Sequence, residues 1–209
     1  MKKQLIIFDM DGTLINSGNV ITNTINFVRK NIGLPLMKKD ILLSQLNNPD
    51  INAADYFYGT SEFTDEQTKL FSEYYDKNCI TDITLYDGIE DMLNHISKYF
   101  TITIATNASV EFATKMVEHL KIDHHFSMIV GSNSVKNPKP HPDMLLKIMN
   151  KFNILNQDAI LIGDSLKDKN AAYKAKIDCI LVDWGFTTFE NEDTITNTKT
   201  LTNELLKFK

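Results

Sequence analysis

Residues 5–14 read LIIFDMDGTL and carry the strongest structural and chemical signal in the chain. Four apolar residues lead directly into Asp9 and Asp11, and Gly12 then lets the backbone turn sharply. If a buried strand ends at Asp9, both carboxylates lie at its carboxyl end, where open parallel sheets carry their chemistry. Two acids this close repel each other unless a cation or a proton lies between them. The stretch therefore predicts a metal site in which one acid is a nucleophile and the other carries a proton.

Five short runs rich in aliphatic and β-branched residues recur along the chain, at 4–9, 100–106, 127–131, 159–164 and 178–183. Near-continuous apolar runs of this length indicate strands buried on both faces, as in a parallel sheet. Helical patterns separate them, at 89–98, 110–120, 143–152 and 166–175. The alternation predicts an α/β fold with a doubly wound, parallel, five-stranded sheet.

One long segment interrupts this alternation immediately after the first predicted strand. Between Leu14 and Leu85 no convincing strand is recognisable, and helices are predicted at 20–32, 38–46, 50–58 and 65–79. We therefore expect a core domain of residues 1–15 and 86–209 with an inserted α-helical cap domain of residues 16–85. Both connections leave the core beside the acidic pair, so the insertion is placed to act as a lid over it.

The composition fits a soluble enzyme. The net charge is −5 and Arg29 is the single arginine among 22 basic residues, which argues against nucleic acid as a partner. Cys79 and Cys179 are too few for a disulfide framework or a zinc site and indicate the cytoplasm. No apolar run approaches the length of a membrane span. We expect no membrane partner, and a monomer or homodimer.

Four separated motifs give the chain a specific resemblance. They are DMDGT at 9–13, ATN at 105–107, KPHP at 139–142 and GDSLKD at 163–168. In this order they resemble the motifs of phosphoglycolate phosphatase-like members of the haloacid dehalogenase superfamily, which carry a helical cap after the first strand. The resemblance covers essentially the whole chain. It implies a Rossmann-like core and hydrolysis of a small phosphorylated metabolite, with a phosphoglycolate-like compound or a sugar or nucleoside monophosphate as substrate.

The resemblance also implies a role for each acidic residue in the motifs. Asp9 is the expected nucleophile, which forms an aspartyl-phosphate, and Asp11 is the expected general acid and base. Mg²⁺ is the expected cofactor because it prefers a few hard oxygen ligands and keeps waters in the remaining positions. Asp9, the backbone carbonyl of Asp11 and Asp164 supply those oxygens, and Asp168 binds a metal-bound water or orients a neighbour.

Thr106, Asn107 and Lys139 complete the predicted substrate site. A hydroxyl at a strand end donates to a phosphoryl oxygen, and a lysine supplies a compact positive charge. Prolines on both sides of Lys139 restrict its backbone, so less ordering is needed when an anion binds. Asn107 is expected to orient Asp9 or to line the substrate pocket.

Several alternatives remain open from the sequence. A haloacid dehalogenase needs only the first acid and no metal, and a phospho-acceptor receiver module is shorter and lacks the helical insertion. A sugar-phosphate mutase of the β-phosphoglucomutase type shares the acids and the cap. Such mutases carry a histidine early in the first cap helix, where this chain has Ile21. Arg29, on the first cap helix, is either a solvated arginine, the default, or an anchor for an acidic substrate.

Overall fold

The computed structural model describes residues 3–187, 189 and 192–209. The strands are β1 (Leu5–Phe8), β2 (Ile15–Asn16), β3 (Thr84–Leu85), β4 (Thr101–Ala105), β5 (Met128–Val130), β6 (Ala159–Gly163), β7 (Asp178–Val182) and β8 (Thr194–Ile195). The helices are α1 (Gly18–Asn31), α2 (Lys39–Leu46), α3 (Ala53–Tyr58), α4 (Asp65–Asn78), α5 (Ile89–Ile96), α6 (Val110–His119), α7 (Asp143–Phe152), α8 (Leu166–Ala175) and α9 (Thr198–Leu206).

The main sheet of the described residues has six parallel strands in the order β5-β4-β1-β6-β7-β8. In the central strand, Phe8 pairs with Ile104 on one side and with Ile162 on the other. The chain therefore changes direction across the sheet at β1, and crevices at such a switch point are where α/β proteins bind ligands. All five predicted strands are present. The sixth, β8, was not predicted because two residues carry no periodic signal.

Both faces of the sheet are buried under helices. Ile6 and Phe8 pack with residues of α5, α6 and α9 in one apolar cluster. Leu5 and Ile7 point to the other face and pack with residues of α7 and α8. Successive side chains of β1 are thus buried alternately in the two apolar clusters, which explains why the first apolar run of the sequence is continuous. The result is a three-layer α/β fold, as predicted.

Helices α1 to α4, here called the helical segment, lie between β2 and β3. The expectation that no strand occurs between Leu14 and Leu85 is wrong at both ends, because Ile15 pairs with Leu85 and Asn16 with Thr84 in a two-stranded antiparallel sheet. The four predicted helices are all present. They share a small apolar core of their own, formed by Ile25, Val28, Leu42, Phe57 and Tyr58.

A capping box marks the start of α4, the last helix of the helical segment. The Thr64 hydroxyl accepts from the Gln67 amide at 3.2 Å, and Gln67 Oε1 accepts from the Thr64 amide at 3.0 Å.

Among the described residues, no helix combines the length and the apolar character needed to cross a membrane.

Leu161 in β6 tests the central packing. It has no exposed area, so Leu161→Ala leaves a cavity in the apolar cluster between the sheet and helices α7 and α8, and we expect a loss of about 2–5 kcal/mol in the free energy of unfolding. Leu155→Ala is the matched control, because Leu155 is 63% exposed, and it should change stability by less than about 0.5 kcal/mol. Urea denaturation of both variants measures the difference. Equal losses would contradict this account of the core.

Candidate active site

Three strand ends bring the predicted residues to one place. Asp9 follows β1, Thr106 follows β4 and Asp164 follows β6, and these strands are neighbours in the sheet. Lys139 enters from the loop before α7, and Asp168 lies in the first turn of α8. All five side chains are buried. The switch point of the sheet therefore carries a compact cluster of charged groups.

The ammonium of Lys139 lies at the centre of this cluster. Its Nζ is 2.5 Å from Asp9 Oδ1 and 2.6 Å from Asp168 Oδ1. Burial lowers the pKa of Lys139, but the charges and hydrogen bonds of Asp168 and Asp9 outweigh burial and raise the pKa above its usual value. Asn107 Nδ2 donates to the backbone carbonyl of Lys139 at 2.9 Å. Asn107 thus holds the lysine loop in place and also lines the cavity above it.

The two carboxylate oxygens of Asp164 have different surroundings. Its Oδ2 accepts hydrogen bonds from the Phe186 amide at 2.8 Å and from Asn47 Nδ2 at 3.1 Å. Its Oδ1 is buried and has no hydrogen-bond partner in the described structure. A buried carboxylate oxygen without a partner is costly unless a cation or proton compensates it.

A divalent cation fits this arrangement of acids. One oxygen each of Asp9, Asp164 and Asp168 lie within 4.8 Å of one another, and hard oxygen ligands suit such an ion. Asp9 and Asp168 already have partners at both oxygens. Asp9 binds Lys139 and accepts from the Thr13 hydroxyl, and Asp168 binds Lys139 and accepts from the Ser165 hydroxyl. Asp164 Oδ1 is the oxygen best placed to gain a new partner.

Two glycines make room for the Asp164 carboxylate. A Cβ atom on Gly12, whose φ is +89°, would collide with Asp164 Oδ2. A Cβ atom on Gly185 would meet the same oxygen and the carbonyl of Gly12. Main chain from two loops therefore approaches the acid more closely than any side-chain-bearing residue allows.

The side chain of Asp11 lies outside the carboxylate cluster. Its Oδ1 accepts from the Ser17 hydroxyl at 2.5 Å, and Asp11 lines the cavity above Asp9. Burial raises the pKa of Asp11, while the Ser17 hydrogen bond and the Lys139 charge oppose that shift. A carboxyl group with a raised pKa is suited to proton transfer near neutral pH. The predicted contact of Asp11 with a cation concerns its backbone carbonyl, not this side chain.

Burial also raises the pKa of the cluster acids. The pKa of Asp9 rises to about 7, chiefly through burial, with Lys139 opposing the shift and Asp168 and Asp11 adding to it. The pKa of Asp164 lies well above its usual value, again chiefly through burial, with the charges of Asp9 and Asp168 adding to it. Without a cation, the cluster therefore holds protons near neutral pH.

The helical segment makes contacts with this site that no sequence motif indicates. Asn47 follows α2 and reaches Asp164, and Lys167 Nζ donates to the carbonyl of Leu46 at 2.8 Å. No motif marks Asn47, because its partner is 117 residues away. Ser165 was quoted in the fourth motif without a role, and a serine three residues before an acid at a helix start is a recognisable capping signal.

Arg29 takes neither of the two predicted roles. It is buried, its Nε donates to the carbonyl of Pro35 at 2.8 Å, and its Nη1 donates to the carbonyl of Phe57. The default expectation of a solvated arginine is therefore wrong. The alternative of a substrate anchor is also wrong, since the guanidinium joins parts of the helical segment and does not line the cavities beside Asp11.

Comparisons with known proteins agree with this fold and site. A family profile described as haloacid dehalogenase-like hydrolase matches residues 6–182. A phosphoglycolate phosphatase from Mannheimia succiniciproducens is 30% identical over 194 residues, which are 88% of this chain and 87% of that protein. The crystal structure of a predicted phosphatase from Clostridium acetobutylicum aligns with a TM-score of 0.89 at 25% identity, over 99% of this chain and 100% of that one.

A second solved structure gives the same result. A predicted phosphoglycolate phosphatase from Haemophilus somnus aligns with a TM-score of 0.78 at 25% identity and covers 90% of this chain and 88% of its own. The fold and the site thus define an enzyme of the phosphatase class. The chain belongs to the haloacid dehalogenase-like hydrolase family.

Cation binding to the cluster should depend on pH. Because the metal-free protein holds a proton on Asp9 below pH 7, a divalent cation such as Mg²⁺ must displace it. We expect the affinity to rise from about pH 5.5 to about pH 8, with release of protons on binding. Calorimetry in two buffers of different ionisation enthalpy measures both quantities.

The control for this measurement is Asp91→Asn, which alters an exposed acid on α5 and should leave the pH dependence intact. An affinity that stays constant across this pH range in the unaltered protein would contradict binding at the Asp9 cluster.

Proposed function

We propose that this chain is an Mg²⁺-dependent phosphatase that hydrolyses a small phosphorylated metabolite through an aspartyl-phosphate on Asp9. The observation that carries the proposal is the meeting of Asp9, Lys139 and the unpartnered Asp164 Oδ1 at one buried strand end. A nucleophilic carboxylate, a fixed ammonium and an oxygen suited to a cation are the groups that phosphoryl transfer requires.

The phosphoryl group fits the small cavity above Asp9. This cavity measures about 60 Å³, and Asp9, Asp11, Thr106 and Lys139 are among its lining residues. The Thr106 hydroxyl accepts from the Ala108 amide at 3.1 Å, and its own hydrogen, which is within reach of Asp11, can turn to a phosphoryl oxygen. A phosphate monoester resists anionic nucleophiles, so these positive and hydrogen-bonding groups have to offset the repulsion.

In this proposal, Asp9, the backbone carbonyl of Asp11 and Asp164 hold Mg²⁺. When bound, the ion neutralises negative charge on the phosphoryl oxygens and on the acids around it. Asp168 is assigned as a positioning residue, because its two oxygens bind Lys139 and Ser165. Asp168 then keeps the lysine aimed at Asp9.

Asp11 performs the proton transfers in the proposed reaction. An Asp9 oxygen attacks phosphorus, and the bond from phosphorus to the leaving oxygen breaks while Asp11 gives that oxygen its proton. Asp11 is then a carboxylate and takes a proton from the water that attacks phospho-Asp9. Inorganic phosphate and free Asp9 result, and Asp11 is protonated again. The hydrogen bond from Ser17 fixes the orientation of Asp11 in both steps.

We propose that residues 16–85 act as a cap domain over a core of residues 1–15 and 86–209. The contacts of Asn47 with Asp164 and of Lys167 with the Leu46 carbonyl join the end of α2 to the site. A cap held in this way excludes bulk water from the phosphoryl cavity and strengthens its electrostatic interactions.

Hydrolysis is favoured over mutase chemistry by the residues around Asp11. Ile21 lines the cavity next to Asp11, and no described residue that lines this cavity or the phosphoryl cavity is a histidine. Water is therefore the proposed phosphoryl acceptor. The β-phosphoglucomutase-like alternative gains no support from these lining residues.

We also propose the cellular location, the partner and the oligomeric state of the enzyme. Cys79 and Cys179 are both free, which agrees with the reducing cytoplasm. A small phosphorylated molecule is the proposed partner, the net charge of −5 disfavours nucleic acid, and we propose a monomer or homodimer.

Asp9→Asn tests the nucleophile. The amide cannot form the phosphoenzyme, so we expect phosphate release from a panel of phosphorylated metabolites with Mg²⁺ to fall by about a thousandfold or more. EDTA should abolish turnover by the unaltered enzyme, and mass spectrometry after acid quenching should find phosphate on Asp9. Asp91→Asn is the control. A folded Asp9→Asn variant with unaltered rates would overturn the proposal.

Asp11→Asn tests the proton donor through the choice of leaving group. An alkyl phosphate needs protonation of its leaving oxygen, whereas 4-nitrophenyl phosphate does not. We expect single-turnover phosphorylation of Asp9 to slow by about 10²–10⁴-fold for ethyl phosphate and much less for the nitrophenyl ester. Rapid-quench measurement of the phosphoenzyme gives both rates. Equal slowing of the two substrates would exclude Asp11 as the acid.

A further inference from the structure

We infer that this site selects phosphate monoesters whose leaving group is uncharged and largely apolar. This inference rests on the proposed phosphatase function and concerns the part of the substrate beyond the phosphoryl group. It comes from the walls and the charges of the cavity into which that part must extend.

The phosphoryl cavity opens toward a larger one. The larger cavity measures about 370 Å³, near the lower end of the range for small-molecule sites, and shares Asp11, Asn47, Asn107 and Ala108 with the phosphoryl cavity. A leaving oxygen beside Asp11 therefore directs the rest of the substrate into this space. Its other large lining side chains are apolar or aromatic: Ile21, Leu46, Phe71, Tyr75, Phe112 and Phe186.

Three of these rings form a continuous aromatic wall. Phe71 and Tyr75 stack with centroids 5.5 Å apart, and Tyr75 meets Phe112 edge to face at 5.0 Å. Phe71 and Tyr75 belong to α4, and Phe112 belongs to α6, so both the helical segment and the main fold contribute. A wall of this kind binds an apolar or aromatic body through its faces and edges.

The charges around the larger cavity argue against an anionic leaving group. Among the described residues that line it, none is a lysine, arginine or histidine, and Asp11, the proton donor of the proposed reaction, is the only acid. A substrate carboxylate placed there loses its hydration and gains no cation. Neutral donors such as Ser109 and Ser132 line the cavity, but they do not neutralise a negative charge.

The two nearby lysines, Lys139 and Lys167, line the phosphoryl cavity and not the larger one. Lys139 binds Asp9 and Asp168, and Lys167 donates to the Leu46 carbonyl. Arg29, the single arginine, donates to two backbone carbonyls inside the helical segment. Beyond Ile21, Leu46 and Phe71 lies a further cavity of about 340 Å³, and no described residue lining it is charged. No described cation therefore lines the space that the leaving group enters.

The test compares substrates with matched leaving oxygens. Benzyl phosphate and phosphoglycolate both release a primary alcohol, so their reactivity is similar and the pocket decides between them. With the complete chain and Mg²⁺, we expect kcat/KM for benzyl phosphate to exceed that for phosphoglycolate and for glucose 6-phosphate by at least about tenfold.

Each outcome of this comparison is decisive. A preference for phosphoglycolate or for glucose 6-phosphate would overturn the inference and leave the proposed phosphatase intact. Absence of phosphate release from every monoester would overturn the proposed function, and the inference with it. The enzyme-bound phosphate on Asp9 distinguishes a slow phosphatase from a protein without this activity.

A matched pair of variants tests the electrostatic argument directly. Ser132→Lys places a cation in the larger cavity, and Ser132→Met places a neutral side chain of similar length there. We expect the lysine variant to shift the ratio of the two kcat/KM values toward phosphoglycolate by about tenfold, and the methionine variant to leave it on the benzyl side. Equal ratios in two folded variants would contradict the inference.

A second variant covers the case in which Ser132→Lys does not fold. Phe112→Leu keeps an apolar residue but removes a ring from the wall, so KM for benzyl phosphate should rise several-fold more than KM for ethyl phosphate. Thermal unfolding confirms that the variant is folded. An equal change in both KM values would show that the wall does not contact the leaving group and would overturn the inference.

Discussion

Charge compensation around the buried Lys139 is the constraint on which the whole site depends. A single ammonium holds Asp9 and Asp168 within 2.6 Å, and both acids are buried. Removing one partner from such a group leaves an uncompensated buried charge, which is strongly destabilising. Asp164 adds a third carboxylate that the lysine does not balance. Burial and charge around these strand ends therefore require a cation or a proton to compensate this third acid.

The sheet holds Asp9 and Asp164 close together, and apolar packing on both faces of the sheet offsets the repulsion between them. Asp9 and Asp164 follow adjacent parallel strands whose registers are set by buried residues on both faces, so their positions cannot relax independently. Gly12 and Gly185 then bring main chain against Asp164, where any larger residue would collide. Electrostatic repulsion at the switch point is therefore opposed by two apolar cores.

The strands and their terminal acids were predictable because both signals are local. A continuous apolar run marks a strand buried on two faces, and the polar residue that follows it, such as Asp9 or Asp164, falls at a common edge. The contact of Asn47 with Asp164 was not predictable, because it joins residues 117 positions apart. The contacts of Arg29 were not predictable from the sequence for the same reason. Its carbonyl partners at Pro35 and Phe57 meet only after the chain has turned between α1 and α3.

The two ends of the substrate site have different origins, and this separates reaction from specificity. Main-chain geometry at β1, β4 and β6 places the groups proposed to surround phosphorus, and the Clostridium acetobutylicum structure, with a TM-score of 0.89, has a similar fold. The leaving-group cavity instead takes much of its wall from side chains of the helical segment, among them Phe71 and Tyr75. A relative that is 30% identical therefore supports the chemistry more strongly than the substrate named for it.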